Sequence, residues 1–277
     1  MPENYPLVSI LVPSYNHEKY VTRTLDSILE DNYPNKEIVI INDGSNDHSD
    51  EIIKNWIMEH EGIIKITYRS RANSGVCKTL NELVSLSSGK YLVPIASDDM
   101  LLPGSILKRV ELLKNHPQKS VLVTDAVVID EHDQVIMNSA IDDYNKKDKK
   151  RFKDDEGILL STLVSPQISG PSVMMDRNVF EAVGPYHENL IAEDWYFYQR
   201  AAAKYLIFFD DQIAGKYRVH ITNASGLQVI GSVKMARTIA FTYWYNWNEM
   251  PTIRFKSIAL FEMIKWCLRF ILYKFRS

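Results

Sequence analysis

An α/β fold built on a mostly parallel sheet covered by helices is what the sequence predicts, and three observations predict it. Short β-branched runs alternate with amphipathic segments from residue 7 to about residue 127. The composition is globular, with 45% hydrophobic and 24% charged residues and 11 Gly and 11 Pro among 277 residues, which suits one large domain or two small ones. Polar and acidic residues also gather directly after the apolar runs, where ligands bind in sheets of this kind.

The elements follow in order. Strands are expected at 8–12, 37–41, 63–68, 91–95 and 120–129, with helices between them at 20–30, 49–59, 76–87 and 103–115. Pro103 stands in the first turn of the last helix, as helix starts prefer. The apolar run that begins at Leu7 breaks at Pro13 and follows no basic cluster, so it reads as a strand rather than a signal peptide. The dense mixed-charge run at 145–156 reads as a solvated loop separating two halves. Beyond it, helices are expected at 178–183 and 195–204 and strands at 206–210 and 216–219. Within the second of these helices the aromatic run Trp195, Tyr196, Phe197, Tyr198 reads as a core-facing surface, with Trp195 the one near an acceptor.

Charge and cysteine usage narrow the class. With 32 basic against 35 acidic residues the formal charge is −3, which gives no sign of a general nucleic-acid binder. Two cysteines, Cys77 and Cys267, form neither a metal-ligand spacing nor a disulfide framework and point to a reducing compartment, the cytoplasm. No apolar run reaches the roughly 18 residues of a membrane span, so a soluble or peripheral protein is expected. The segment 254–276 differs from the rest: six basic residues against Glu262 give +5, which leaves −8 for the remainder. At about 100° per residue, Arg254, Glu262, Lys265, Arg269 and Arg276 share one stripe while apolar residues fill the remaining arc. Such a basic amphipathic helix suits an anionic bilayer surface, the body of the protein or a second copy in a homo-oligomer, and the pattern leaves all three open.

Chemistry should concentrate after the strands. Asp43 follows the second strand, and Ser97, Asp98 and Asp99 follow the fourth. Adjacent carboxylates repel, and a divalent cation, Mg²⁺ or Mn²⁺, is the usual way to keep both ionised, although an exposed turn before a helix predicts the same letters. Position favours the cation, because residues 13–16 after the first strand and 71–75 after the third lie at the same sheet end.

Joined in order, VSILVPSYN from Val8, INDGS from Ile41, Asn73, Gly75 and Asn81, then Ser88, Gly89, Lys90 and the ASDD of Ala96 to Asp99 resemble the family 2 glycosyltransferases of GT-A fold. The second half continues the likeness with Gly170 to Met174, Val183-Gly184, Glu193-Asp194-Trp195, Arg200, and Tyr217-Arg218-Val219-His220 followed by Asn223 and Ser225. The resemblance implies a GT-A domain over 1–225, with a nucleotide-sugar-binding half at 1–130 and an acceptor and catalytic half at 157–225, and places 226–277 outside it as a helical extension. It implies that Pro13 and Tyr15 wall the nucleotide base, that Asp43 bonds a uracil-type imide, and that Arg71 reaches the base or a phosphate. Asp98 would bind the ribose, with Asp99 and His220 on the metal. The family more often shows Asp-x-Asp, whereas this chain has Ser97 at the first position.

The pair Glu193-Asp194 matches the family's acid motif, with Asp194 as general base and Glu193 helping to place donor or acceptor; helix-start charges are the structural alternative. The implied reaction is inverting transfer of a hexose or N-acetylhexosamine from a UDP-sugar to a hydroxyl. By analogy the acceptor is a lipid-linked glycan in bacterial surface polysaccharide assembly, such as O-antigen or capsule, at the inner membrane face. A polyprenyl-phosphate sugar synthase or a non-catalytic nucleotide-sugar-binding subunit would share much of this pattern. An ordinary dinucleotide oxidoreductase would not, since no G-x-G-x-x-G follows the first strand.

Overall fold

A computed structural model describes residues 5–164, 168, 170–191, 193–220 and 232–276. Its first part is a regular α/β alternation: β1 (Val8–Ser14), α1 (Val21–Glu30), β2 (Lys36–Asn42), α2 (Ser49–Glu59), β3 (Lys65–Ser70), α3 (Val76–Leu86) and β4 (Tyr91–Pro94). There follow β5 (Met100–Leu101), α4 (Ser105–Asn115), β6 (Val121–Ile129) and β7 (Val135–Met137). The later elements are α5 (Asp155–Val164), β8 (Val173–Asp176), α6 (Val179–Val183), α7 (Glu193–Ala203), β9 (Ile207–Arg218), α8 (Val233–Asn246) and α9 (Ile253–Arg276).

One nine-stranded sheet runs β3-β2-β1-β4-β8-β6-β9-β5, with β7 on β6. β1, β2, β3 and β4 are parallel, while β8 enters antiparallel between β4 and β6. β9 then runs parallel to β6 and antiparallel to β5. Alternate residues of β1 serve opposite faces, as a pleated strand requires. Val8, Ile10 and Val12 join α1, α2 and α4 through Leu25, Ile53 and Val110. Leu11 joins the other core with Leu83 of α3, Leu159 of α5, Phe197 of α7 and Phe255 of α9. Four of the five buried positions of α1, Val21, Thr24, Leu25 and Ile28, recur at the three- and four-residue spacing that keeps them on one face, and Ser27 is the fifth.

The expected α/β class with helices on both faces and a C-terminal helix is what the chain forms, with three local differences. β3 starts two residues later than expected because Ile63 closes a turn onto His60 and is 64% exposed. The strands expected at 206–210 and 216–219 are one strand, β9, whose register against β6 shifts near Asp125. The run at 145–156 is not simply a solvated loop. It contains a 3₁₀ turn (Lys149–Phe152) whose Phe152 is buried, and Lys149 reaches into the sheet to the fully buried Asp125 of β6 at 2.8 Å and to Asp211 at 2.6 Å. Asp125 also accepts from Ser139 Oγ at 2.5 Å and from the backbone N–H of Ala140 and Ile141.

Removing one partner of a buried ion pair leaves the other charge uncompensated. Asp125→Ala should therefore cost about 3–5 kcal/mol, read as a lower urea midpoint with an unchanged slope.

Candidate active site

β1, β2 and β3 finish together, with Ser14 beside Asn42 and Asn42 beside Ser70. Their following loops are therefore brought to one end of the sheet, beside the 95–99 loop after β4. Asn16, in the left-handed region at φ 55, accepts from the Asn46 N–H at 2.8 Å, while its own N–H donates to Ser45 Oγ at 2.9 Å, so the loops after β1 and β2 are stitched together. Pro13 is half-buried and Tyr15 is 43% exposed at this edge.

Asp43 is buried, and its carboxylate is the hub of the next loop. It accepts from the Ser74 N–H at 2.8 Å and the Gly75 N–H at 3.0 Å, the latter at the start of α3, and it pairs with Arg71. Arg71 is held as well by Glu82 at 2.8 Å and Thr79 Oγ1 at 2.9 Å, so the structure brings Arg71 to Asp43. Gly44 makes this crossing feasible: its φ is +73°, and a Cβ there would lie 2.5 Å from the Asn73 nitrogen.

The adjacent carboxylates Asp98 and Asp99 diverge. Asp98 Oδ2 lies 2.9 Å from His220 Nε2 and 3.6 Å from His17 Nε2, and these three groups are within 4.8 Å of one another. Burial pushes the Asp98 carboxyl up, but the hydrogen bond to His220 and the imidazole charges outweigh it and hold it below the usual range. Burial pushes the His17 ring down, against the pull of Asp98. His17 Nδ1 sits 2.8 Å from Ser97 Oγ; with its proton on that nitrogen, Nε2 presents a lone pair toward Asp98. His220 rests 4.8 Å from the Tyr20 ring, whose surroundings include the Arg218 guanidinium at 4.9 Å.

Asp99 lies outside that trio. Its Oδ1 accepts the Arg218 N–H at 2.8 Å, and burial followed by repulsion from Asp98 raises its carboxyl well above the usual range. The buried Arg218 side chain grips the Asp98 carbonyl at 2.7 Å and Asp133 at 2.5 Å. Of the residues expected at the metal, His220 thus joins Asp98 rather than Asp99, and His17, which the sequence singles out for nothing, completes the group. Its signal was its place in the loop after β1. Two imidazoles and a carboxylate are a donor set that fits a first-row divalent ion.

Asp194 stands in the first turn of α7, half-buried, its Oδ1 accepting the Trp195 N–H at 2.9 Å. Burial pushes its carboxyl up to about 6, against the pull of that amide. The Glu193 side chain lies outside the described residues, as do Asn223 and Ser225. The approach to α7 is clamped to α3: Asn81 donates to Tyr186 O and accepts from its N–H, both at 2.9 Å, and Leu190 O accepts from Cys77 Sγ. Phe197 and Tyr198 face the core as expected; Trp195 packs edge-on against Tyr243 of α8 and Trp266 of α9.

Polar and acidic side chains gathered at the carboxyl ends of parallel strands mark the place where ligands bind in α/β sheets of this class. The chain belongs to Glycosyl transferase family 2, whose model matches residues 9–184. It is 28% identical over 220 residues to an uncharacterized glycosyltransferase of Rickettsia typhi, a match covering 78% of this chain and 64% of that protein. Another uncharacterized glycosyltransferase, from Haemophilus influenzae, is 28% identical over 275 residues, covering 94% of this chain and 81% of its own. Among solved structures, the fold is similar to the mannosyltransferase PcManGT of Pyrobaculum calidifontis in complex with GDP-Man and Mn²⁺, at TM-score 0.66 and 16% identity over 97% of this chain and 75% of that one. It is also similar to S. aureus TarS 1–349 in complex with UDP-GlcNAc, at TM-score 0.64 and 17% identity over 95% and 72%.

A side chain at Gly44 would require both a strained φ and displacement of the backbone at Asn73. Gly44→Ala should destabilise the fold by more than about 1 kcal/mol, measured by urea denaturation.

Proposed function

We propose that this chain is an inverting glycosyltransferase that moves a hexose or N-acetylhexosamine from a UDP-sugar to a hydroxyl of a glycan acceptor. The observation that carries this reading is the placement of Asp194, a carboxyl that burial raises to about 6, at the start of α7, on a different element from the His17, Asp98 and His220 trio. A phosphate acceptor would need no proton removed, and a mere binding subunit would need no base.

The chemistry divides between the two groups. At neutral pH the Asp194 carboxylate takes the proton of the acceptor hydroxyl as its oxygen bonds to the anomeric carbon. The carbon–oxygen bond to the diphosphate breaks on the opposite face, the diphosphate leaves with the electron pair, and the configuration inverts. A divalent cation held by Asp98, His17 and His220 supplies, when bound, neutralisation of the charge that grows on the leaving group. The two imidazoles favour Mn²⁺ over Mg²⁺. In this reading Asp99 positions the site through the Arg218 backbone rather than ligating, and Ser97 orients His17. Asp43 reads the uracil imide with the lone pairs left by Arg71, Ser74 and Gly75, beside Pro13 and Tyr15; Glu193 assists placement of donor or acceptor. The acceptor glycan is carried on a lipid in bacterial surface polysaccharide assembly, and the enzyme works from the cytoplasmic side.

Asp194→Asn should keep donor binding while losing transfer by at least about 10²-fold, measured as UDP release with and without acceptor. Because a base acts deprotonated, wild-type turnover should fall as pH drops through about 6, and a flat profile there would count against Asp194. In calorimetric titrations with Mn²⁺, His17→Ala should bind at least about tenfold more weakly and Asp99→Asn nearly as wild type. The reverse pattern would return the cation to Asp99.

A further inference from the structure

The C-terminal helix α9 carries two apolar faces, and the fold covers one. Phe255, Ala259 and Trp266 are buried in the core, and Glu262 beside them is buried and paired with Lys265 at 2.5 Å. The charged stripe is thus turned toward the body at Glu262. On the other side Phe261, Ile264, Leu268, Ile271, Leu272 and Phe275 are between 47% and 86% exposed. At the helical period these six share an arc of about 100°, along a helix about 36 Å long.

Charge says what this face suits. Lys265 and Arg269 follow one edge of the stripe, Lys256 and Lys274 the other, and segment 254–276 carries +5 while the rest of the chain carries −8. Two such helices brought face to face would repel, whereas a surface rich in phosphate would attract the flanks as the apolar side chains leave water. The acidic body would be held off the same surface, so contact is confined to the helix. Among the described residues no helix is long and apolar enough to cross a membrane, so the helix lies along the surface instead of spanning it. The neighbouring α8, packed along α9, leaves Trp244 66% exposed, an aromatic of the kind that settles at headgroup depth.

We infer that α9 docks the protein on an anionic bilayer, its exposed apolar stripe inserted at the acyl boundary and its basic flanks on the phosphates. This deepens the reading of a lipid-carried acceptor. The test below contains neither donor nor acceptor, so failure of docking and failure of transfer are read separately.

The full chain is sedimented with vesicles of phosphatidylcholine alone and of phosphatidylcholine mixed with phosphatidylglycerol, over a range of salt. Binding to the mixed vesicles should be at least about tenfold tighter and should weaken as salt rises. The triple variant Phe261→Ser, Leu268→Ser, Phe275→Ser alters only exposed positions; it should keep the wild-type melting temperature and lose at least about tenfold in vesicle binding. Equal binding by the variant, or no binding by the wild type to either vesicle, overturns the proposal. So does a wild-type dimer in analytical ultracentrifugation that the variant dissolves without any vesicle binding, since a second copy would then be the occupant.

Discussion

Two neighbouring carboxylates buried at the end of one strand cannot both stay ionised without help, and the site is organised around how each is compensated. Asp98 is compensated by imidazoles and stays acidic; Asp99 is met by one backbone amide, while burial and repulsion from Asp98 push its carboxyl well above the usual range. Arg218 underlies both arrangements, because its amide serves Asp99 while its guanidinium holds the Asp98 carbonyl. The end of β9 is thereby locked to the loop after β4, and His220, two residues further on, arrives where Asp98 is.

α3 performs a similar service between the two chemical poles. Gly75 at its N-cap gives its N–H to Asp43, and the middle turn fixes the chain entering α7 through the reciprocal bonds of Asn81 with Tyr186. A shift of this one helix would move the Asp43 loop and the Asp194 helix together. Trp195 extends the connection outward, since its ring meets Trp266 on the covered face of α9.

The first half of the fold was legible because its strands are continuous β-branched runs and its helices carry a clear apolar stripe. The second half was less so. β8, Val173–Asp176, is too short to show a period, and β9 is interrupted by Asp210, Asp211, Gln212 and Gly215, which read as a break although pairing to β6 continues past them. Lys149 sits in a charge run whose letters say solvent, and only the buried Asp125 across the sheet draws it inward. At the site, Asp43, Asp98, Asp194 and His220 stood out as polar residues at element ends. Which of Asp98 and Asp99 faces the imidazoles was not legible, because adjacent aspartates differ in nothing until Arg218 gives its amide to the Asp99 carboxylate and its guanidinium to the Asp98 carbonyl. His17 left no periodic trace, being a polar residue in a polar loop.

The interleaving of strands has an evolutionary corollary. Because β8 sits between β4 and β6, and β9 between β6 and β5, the stretch to which we assign acceptor chemistry supplies inner members of the same sheet whose first strands present the residues we assign to the nucleotide. Recombination that imported a foreign C-terminal portion would have to match hydrogen-bond registers on both flanks of each inserted strand at once. New acceptor preferences should therefore arise by point changes and loop insertions, with the two portions inherited as a unit.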